Sequence, residues 1–237
     1  MKIIAIIGTS RKKGTISILA ENLLKGAYDK GWSTELVNLY DYEIKPCIGC
    51  WGCVKSGKCF IKDDFEKLYY KLVEADIVVL GCPVYWANIP GIMKNFFDRH
   101  TGYAMYKPPE APNFYKMSKW KKLKTILKLA RKFGPIDQKF RKKRYILITA
   151  STIPFKKLMG ELSLTIKAMK KYVEKLRGKV IGKLIYTDTL FKFKKAKEEK
   201  MYKKAYDMGM KLEQNNYKSF IETKKAKEGV ERECMVI

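Results

Sequence analysis

The feature that most constrains this chain is an alternation of short apolar runs with longer stretches of helical periodicity. The first run, residues 2–7, is built mostly of Ile, as in strands that are buried on both faces of a parallel sheet. Predicted strands cover residues 2–7, 33–40, 77–80, 145–149 and 179–186. Predicted helices cover residues 16–30, 64–75 (with Asp64 as the cap), 89–99, 158–176 and 192–214. This alternation predicts an α/β fold with right-handed crossovers and one doubly wound, five-stranded parallel sheet.

Two segments fall outside the alternation. Residues 101–143 are rich in Pro, Tyr and Lys and are predicted to form an insertion between the third helix and the fourth strand. Residues 214–237 are predicted to be a basic C-terminal extension, which leaves residues 1–213 as a single domain that contains the insertion. A chain of 237 residues, 46% of them hydrophobic, is long enough to bury one core of this kind.

The charge is strongly basic, with 50 Lys and Arg against 24 Asp and Glu and a net charge of +26. The cations are scattered over predicted helix faces, and no nucleic-acid-binding motif accompanies them, so a solvated basic surface is favoured over a nucleic-acid site. No segment approaches the roughly 20 consecutive apolar residues that a bilayer span needs. We therefore expect a cytoplasmic protein without a membrane partner.

The loop after the first predicted strand reads GTSRKKGTIS, residues 8–17. It carries hydroxyls, glycines and cations into a helix N-terminus, where free N–H groups and the helix dipole favour an anion. The dinucleotide pattern G-x-G-x-x-G is absent, and the Walker pattern fails because Thr15, not Lys, follows Gly14. The loop therefore predicts a phosphate site other than a nucleoside triphosphate or NAD site. Ordinary helix capping by Thr15 or Ser17 is the alternative.

The loop after the third predicted strand begins PVYWAN, residues 83–88. This aromatic pair beside a proline comes directly after a buried strand, where ligands of open α/β sheets bind. The alternative is that Tyr85 and Trp86 are core aromatics. His100 is the only histidine, which argues against a Ser-His-Asp hydrolase, and we expect it to be structural or a cation at a helix end.

Four of the six cysteines lie within thirteen positions with the spacing C-x2-C-x2-C-x5-C. The four are Cys47, Cys50, Cys53 and Cys59. A compact run of this kind lets one loop wrap a [4Fe-4S] cluster, and Gly49, Gly52 and Gly57 are expected to supply positive φ values. Structural zinc, whose ligands usually come as two separated pairs, and uncoordinated thiols or a redox disulfide are the alternatives. Cys82, at the end of a buried strand, is expected to be a small core residue.

These loops together resemble those of the flavodoxin-like NAD(P)H-dependent FMN reductase family, over residues 1–100 in detail and 144–213 as fold. The resemblance implies the strand order 2-1-3-4-5 and FMN as a cofactor. By position, the residues that it assigns to FMN are Ser10, Arg11, Gly14, Thr15, Ser17, Pro83, Val84, Tyr85, Trp86, Asn88 and Ser151. The compact cysteine motif after the second strand is similar to that of the iron-sulfur flavoprotein branch, which implies a [4Fe-4S] cluster on the four cysteines named above.

The same resemblance implies an electron-transfer flavoprotein without a catalytic side chain, because FMN carries the chemistry. Electrons are expected to come from a ferredoxin-like donor or from NAD(P)H and to pass through the cluster and FMN to a small acceptor. Because family members are homodimers or homotetramers, the resemblance also implies one of these two assemblies for this chain. The alternatives are a cluster-free NAD(P)H-dependent FMN or quinone reductase and a basic, zinc-containing binding module.

Overall fold

A computed structural model describes residues 1–50, 52–53, 59–101, 117–132, 143–152, 161–187 and 195–213. The strands are β1 (Lys2–Ile7), β2 (Ser33–Asn38), β3 (Ile77–Pro83), β4 (Arg144–Ser151) and β5 (Lys179–Thr187). The helices are α1 (Thr15–Asp29), α2 (Phe65–Glu74), α3 (Gly91–Arg99), α4 (Lys119–Lys132), α5 (Glu161–Lys175) and α6 (Lys195–Met210). A 3-10 helix, Leu39–Asp41, follows β2.

The five strands form one parallel sheet in the order β2-β1-β3-β4-β5, which confirms the predicted fold class and strand order. β3 and β4 extend beyond their predicted ends, since the ladder continues to the pair Pro83 and Ala150. β2 ends earlier than predicted because the Asn38 side chain accepts a hydrogen bond from the Tyr40 N–H at 3.2 Å and starts the 3-10 helix. The strand order reverses between β1 and β3, and ligands of doubly wound sheets bind at such a point.

Both faces of the sheet are covered, which explains the uninterrupted apolar runs. Successive side chains of a strand point to opposite faces. In β1, Ile4 and Ile6 belong to one hydrophobic core with residues of α2, α3 and α5, whereas Ile3, Ala5 and Ile7 belong to the other with residues of α1 and α6.

One polar prediction, at the start of α2, needs correction, and at the end of α3 the structure decides between the two alternatives given for His100. Asp64 occupies the N-cap position of α2 but makes no capping bond. Its carboxylate accepts from the Glu43 N–H at 2.9 Å, and Asp63 accepts from the Phe65 N–H at 3.0 Å instead. His100 is buried, and its Nδ1 lies 2.8 Å from the Phe96 carbonyl oxygen. Burial lowers the pKa of His100 to about 4, so the ring is a neutral structural group and not a cation.

The predicted insertion contains α4, which makes no extensive contact with the other described elements. The rest of residues 101–143, apart from Thr101, residues 117–118 and Lys143, lies outside the described residues, as does the predicted extension 214–237. Within the part of the chain that is described, no helix is long and apolar enough to cross a bilayer.

Candidate functional site

The loops that follow β1 and β3 are each tied to the neighbouring strand by a backbone hydrogen bond at the carboxyl edge of the sheet. The Gly8 N–H donates to the Gly81 carbonyl oxygen at 2.8 Å, and the Val84 N–H donates to the Ala150 carbonyl oxygen at 3.0 Å. These bonds extend the parallel ladders beyond the strand ends. The structure thus brings the predicted phosphate loop and the predicted aromatic loop to one edge, with Ser151 buried at the end of β4 beside them.

The loop from Gly8 to Gly14 is held by its own polar groups. Thr9 is buried, its carbonyl oxygen accepts from the Asn38 side chain at 2.8 Å, and its hydroxyl oxygen accepts from the Arg11 N–H at 3.3 Å. The Gly14 N–H then donates to the Arg11 carbonyl oxygen at 3.0 Å, which closes the loop. Ser10 and the Arg11 side chain are exposed, so they can be reached by an anion.

The N-terminus of α1 is open towards this loop. Gly14 is the N-cap residue, so neither Thr15 nor Ser17 caps the helix as the alternative required, and the first turn carries no acidic residue. Ser17 is buried and its hydroxyl donates to the Arg11 carbonyl oxygen at 3.1 Å, which gives it a role in shaping the loop. The first N–H groups of a helix lack intrahelical acceptors, so this end can receive an oxyanion.

The aromatic residues after β3 form a tight turn. Tyr85 and Asn88 exchange backbone hydrogen bonds of 2.9 and 3.0 Å, and the two residues between them, Trp86 and Ala87, have φ values of 46° and 61°. Non-glycine residues rarely adopt this left-handed region, and two in succession store strain. The Asn88 side chain accepts from the Ile89 N–H at 2.8 Å and fixes the exit of the turn.

Neither aromatic residue of this turn is a core residue, so the core alternative is wrong. Trp86 is fully exposed at 101% relative accessibility, and Tyr85 is 43% exposed. An exposed indole on a strained turn gains nothing from packing within this chain, and a flat ligand is the kind of group that it would cover. Tyr40, which the sequence did not single out, lies close to this turn. Burial and the neighbouring Tyr85 raise the pKa of Tyr40.

The four clustered cysteines lie in the segment between β2 and α2. Cys47 and Cys50 are exposed, whereas Cys53 and Cys59 are half-buried. Burial first, and then the charges of Cys59, Cys50 and Cys47, raise the pKa of Cys53, so the four thiols form one electrostatic group. In the described residues, however, no three Cys, His, Asp or Glu side chains are gathered as a metal ion requires.

One of the two described glycines of this segment has the positive φ that was predicted, and the other does not. Gly49 has a φ of 67° as expected, but Gly52 is in helical conformation and is not among the positive-φ residues. A Cβ atom at Gly52 would lie 3.2 Å from the Phe60 ring and 3.7 Å from the Cys50 sulfur, so this glycine provides space. Gly57 lies outside the described residues.

Arg99, at the end of α3, is a site residue that the sequence analysis missed. Its guanidinium forms a bidentate pair with Asp63 and donates to the Lys45 carbonyl oxygen at 2.9 Å, and it lies within electrostatic interaction distance of Cys59. Although burial acts to raise the pKa of Asp63, hydrogen bonds from Arg99 and from two backbone N–H groups hold it below the usual value. In the sequence, Arg99 stands 36 residues from Asp63, and no local sequence pattern links the two residues.

Cys82 does not belong to the set of four clustered cysteines. It is fully buried at the end of β3, as predicted, and burial raises the pKa of its thiol to about 12. It is therefore an unreactive core residue.

Comparison with known sequences identifies relatives of the N-terminal half of the chain. The sequence model of the NADPH-dependent FMN reductase family matches residues 1–119. An iron-sulfur flavoprotein of Methanocaldococcus jannaschii is 39% identical over 99 residues, which are 42% of this chain and 51% of that protein. One from Archaeoglobus fulgidus is 43% identical over 99 residues, which are 42% of this chain and 48% of that protein. The chain thus aligns with about half the length of these curated relatives.

Solved structures resemble the whole described fold. An azoreductase from Bacillus anthracis has a TM-score of 0.64 at 16% identity, with 90% of this chain and 100% of that chain covered. The NAD(P)H:quinone oxidoreductase from Methanothermobacter marburgensis has a TM-score of 0.63 at 14% identity, with 90% of this chain and 99% of that chain covered. At such identities the likeness establishes the fold.

Proposed function

Because the chain belongs to the NADPH-dependent FMN reductase family, we propose that it is an FMN-dependent oxidoreductase of the iron-sulfur flavoprotein kind. One observation carries the proposal: an open helix N-terminus and an exposed aromatic turn lie side by side at the point where the strand order reverses. An anion site next to a flat apolar wall suits a phosphorylated flavin. The names of the curated relatives support the same function.

The residues present fit FMN. The N–H groups at the start of α1, with Ser10, Arg11 and Thr15 at its mouth, would bind the phosphate, while Gly14 and Ser17 would keep the loop closed. The turn of Pro83, Val84, Tyr85, Trp86 and Asn88 would cover the ring system and exclude water from one side of it, and Ser151 would line the far end of the site. Bound FMN would supply one- or two-electron transfer.

The cysteine segment fits a [4Fe-4S] cluster through the chemistry of its donors. Four thiols at the spacing C-x2-C-x2-C-x5-C form one electrostatic group, and a cluster would take Cys47, Cys50, Cys53 and Cys59 as thiolates. The positive φ of Gly49 lets the backbone turn sharply between Cys47 and Cys50.

Basic surface favours an acidic electron donor of the ferredoxin type, with NAD(P)H as the other candidate. Residues 117–132 hold seven Lys or Arg and no Asp or Glu, and Trp120 beside them is 74% exposed. Complementary charge speeds the encounter of redox partners and is screened by salt. We expect the pair Lys121→Glu/Lys124→Glu to slow reduction by an acidic ferredoxin, and Lys200→Glu/Lys203→Glu on α6 to serve as the control of equal charge. Equal slowing by both pairs would argue against docking at α4.

Assembly into a homodimer or homotetramer is part of the proposal.

An anaerobic preparation tests the function. We expect FMN absorbance together with a broad iron-sulfur absorbance, and iron and acid-labile sulfide in equal amounts. Cys53→Ala should remove the broad absorbance and leave FMN bound, whereas Cys82→Ala, which alters a buried thiol outside the group, should leave both. Blank iron and sulfide assays on wild-type protein would refute the cluster, and absence of FMN would refute the flavin site.

A second candidate is a cluster-free NAD(P)H-dependent FMN or quinone reductase. It is favoured by one observation, that the described thiols are not gathered as a metal ion requires. Flavin reduction by NAD(P)H at the same rate in wild type and Cys53→Ala, in protein free of iron and zinc, would establish it. Zinc in the place of iron, without flavin, would instead support the basic binding module.

A further inference from the structure

We propose that Arg99 is a positioning residue that fixes both ends of the cysteine segment and its fourth thiol for cluster binding. The inference rests on the proposed function, since it concerns the same cysteines, but it assigns a role to a helix residue far from them in sequence. The sequence predicts the cysteines as ligands and leaves open what holds the segment in place.

The contacts of Arg99 reach both sides of the segment. On the N-terminal side, its guanidinium donates to the Lys45 carbonyl oxygen at 2.9 Å, two residues before Cys47. On the C-terminal side, it donates to the Asp63 carboxylate, through Nη1 and through Nη2 at 3.0 Å, and to the Ile61 carbonyl oxygen at 3.4 Å. One rigid, planar side chain therefore joins the two flanks of the segment.

Asp63 completes the connection from its own side. Besides the guanidinium, it accepts from the Lys45 N–H at 2.9 Å and from the Phe65 N–H at 3.0 Å, at the start of α2. The side chains of Arg99 and Asp63 are 1% and 0% exposed, so the pair is shielded from solvent and from salt. Lys94 and Asp98, on the same helix, form an exposed ion pair with each other, and within the described part of the chain neither side chain bonds to the flanks of the cysteine segment.

Arg99 also reaches one of the thiols. The Cys59 thiol lies within electrostatic interaction distance of its guanidinium. Groups that hydrogen bond to a metal ligand orient that ligand, and hydrogen bonds to cluster sulfurs stabilise the reduced, more negative state. Arg99 therefore has two effects to test: retention of the cluster, through the flanks of the segment, and a higher reduction potential, through Cys59.

Lysine cannot replace this arrangement, because one ammonium group does not present the planar fork that serves Asp63 and the Lys45 carbonyl oxygen together. Arg99→Lys keeps the charge and removes the geometry. The matched control is Lys94→Arg, the reverse exchange on the exposed side of the same helix, where it preserves the pair with Asp98. A double variant, Asp63→Leu/Arg99→Met, removes the buried charges together and restores packing without the hydrogen bonds.

The experiment uses the full chain, prepared anaerobically in all four forms. Measured quantities are iron and sulfide per FMN, the reduction potential of the cluster, the unfolding midpoint, and amide hydrogen exchange at Lys45. We expect Arg99→Lys to lose at least half of its iron and sulfide and to exchange the Lys45 amide about tenfold faster, since a charge-assisted hydrogen bond network is lost. Any cluster that remains in Arg99→Lys should have a lower reduction potential than the wild-type cluster. The Lys94→Arg variant should match wild type.

The double variant separates positioning from mere stability. Because Asp63 also accepts from the Lys45 and Phe65 N–H groups, we expect this variant to unfold at a lower midpoint than wild type, to be folded at the assay temperature, and still to lose iron and sulfide. Full cluster content in this variant would overturn the role of Arg99. Full cluster content and an unchanged potential in Arg99→Lys would do the same. Absence of iron and sulfide from wild type would instead refute the cluster itself, so the two failures are distinguishable.

Discussion

The strained aromatic turn allows the strongest test of the flavin site, because one position affects stability and ligand binding in opposite directions. Trp86 has a φ of 46° and its side chain is fully exposed. Its truncation therefore removes no buried area from the folded chain. Substitution by glycine removes the backbone strain as well as the ring, whereas substitution by alanine removes only the ring.

The magnitudes follow from these two facts. A side chain in the left-handed region costs about 1–2 kcal/mol, and the greater freedom of glycine in the unfolded chain cancels about 0.5–1 kcal/mol of the relief. We expect Trp86→Gly to raise the free energy of unfolding of the flavin-free protein by about 0.5–1 kcal/mol, and Trp86→Ala to leave it nearly unchanged. Loss of an aromatic contact of about 1–1.5 kcal/mol weakens FMN binding about five- to tenfold in both variants.

Urea unfolding of the flavin-free proteins and FMN titration by fluorescence quenching measure the two effects. Trp86→Phe, which retains an aromatic ring and the strain, is the control and should bind FMN nearly as wild type does. The reasoning is refuted if Trp86→Gly is no more stable than Trp86→Ala. Wild-type FMN affinity in Trp86→Ala would remove this turn from the flavin site.

Three further outcomes follow from the packing. Gly14→Ala would place a Cβ atom 3.1 Å from a loop carbonyl oxygen, so we expect FMN affinity to fall about tenfold by titration with little change in the unfolding midpoint. Gly26→Ala would place one 2.1 Å from the Tyr206 carbonyl oxygen, where α1 meets α6, and should destabilise the protein by about 3 kcal/mol in urea, whereas Gly91→Ala, with open space around it, should be tolerated. His100 is neutral in the folded state with a pKa of about 4 against a usual 6.5, so the unfolded chain binds more protons between these values. Lowering the pH from 6.5 to 4 should therefore cost wild type about 3 kcal/mol more than His100→Phe, and equal pH slopes would contradict the buried neutral ring.

The parts of the fold that sequence predicted are those that depend on repeated patterns. β1, β3 and β4 are apolar on both sides, because α1 and α6 cover one face of the sheet and α2, α3 and α5 cover the other, and this burial explains their continuous apolar runs. The errors lie at element ends. β2 stops at Asn38 because one side-chain amide accepts the Tyr40 N–H, a choice that hydrophobic periodicity does not record.

Single-residue roles were harder to predict where two neighbours carry the same chemistry. Asp63 and Asp64 are both able to cap α2, and only the tertiary structure shows that Asp63 makes the bond while Asp64 accepts from the Glu43 N–H. Gly52 is similar, since glycine serves either a positive φ or a close approach, and here the Phe60 ring occupies the space. In each case the residue type was informative and its partner decided the role.

The candidate site also has a part that sequence patterns predicted and a part that depends on tertiary contacts. Loop composition and the switch between β1 and β3 were sufficient to place the phosphate loop and the aromatic turn at one edge, because the carboxyl ends of parallel strands meet there. The anchor of the cysteine segment was not accessible in this way. Arg99 belongs to another element, lies 36 residues from Asp63 and contacts backbone carbonyl groups that every sequence possesses. A motif of ligands specifies what can be bound, whereas the rigidity that makes binding strong is supplied by buried contacts between distant segments, and these become visible only when the chain is folded.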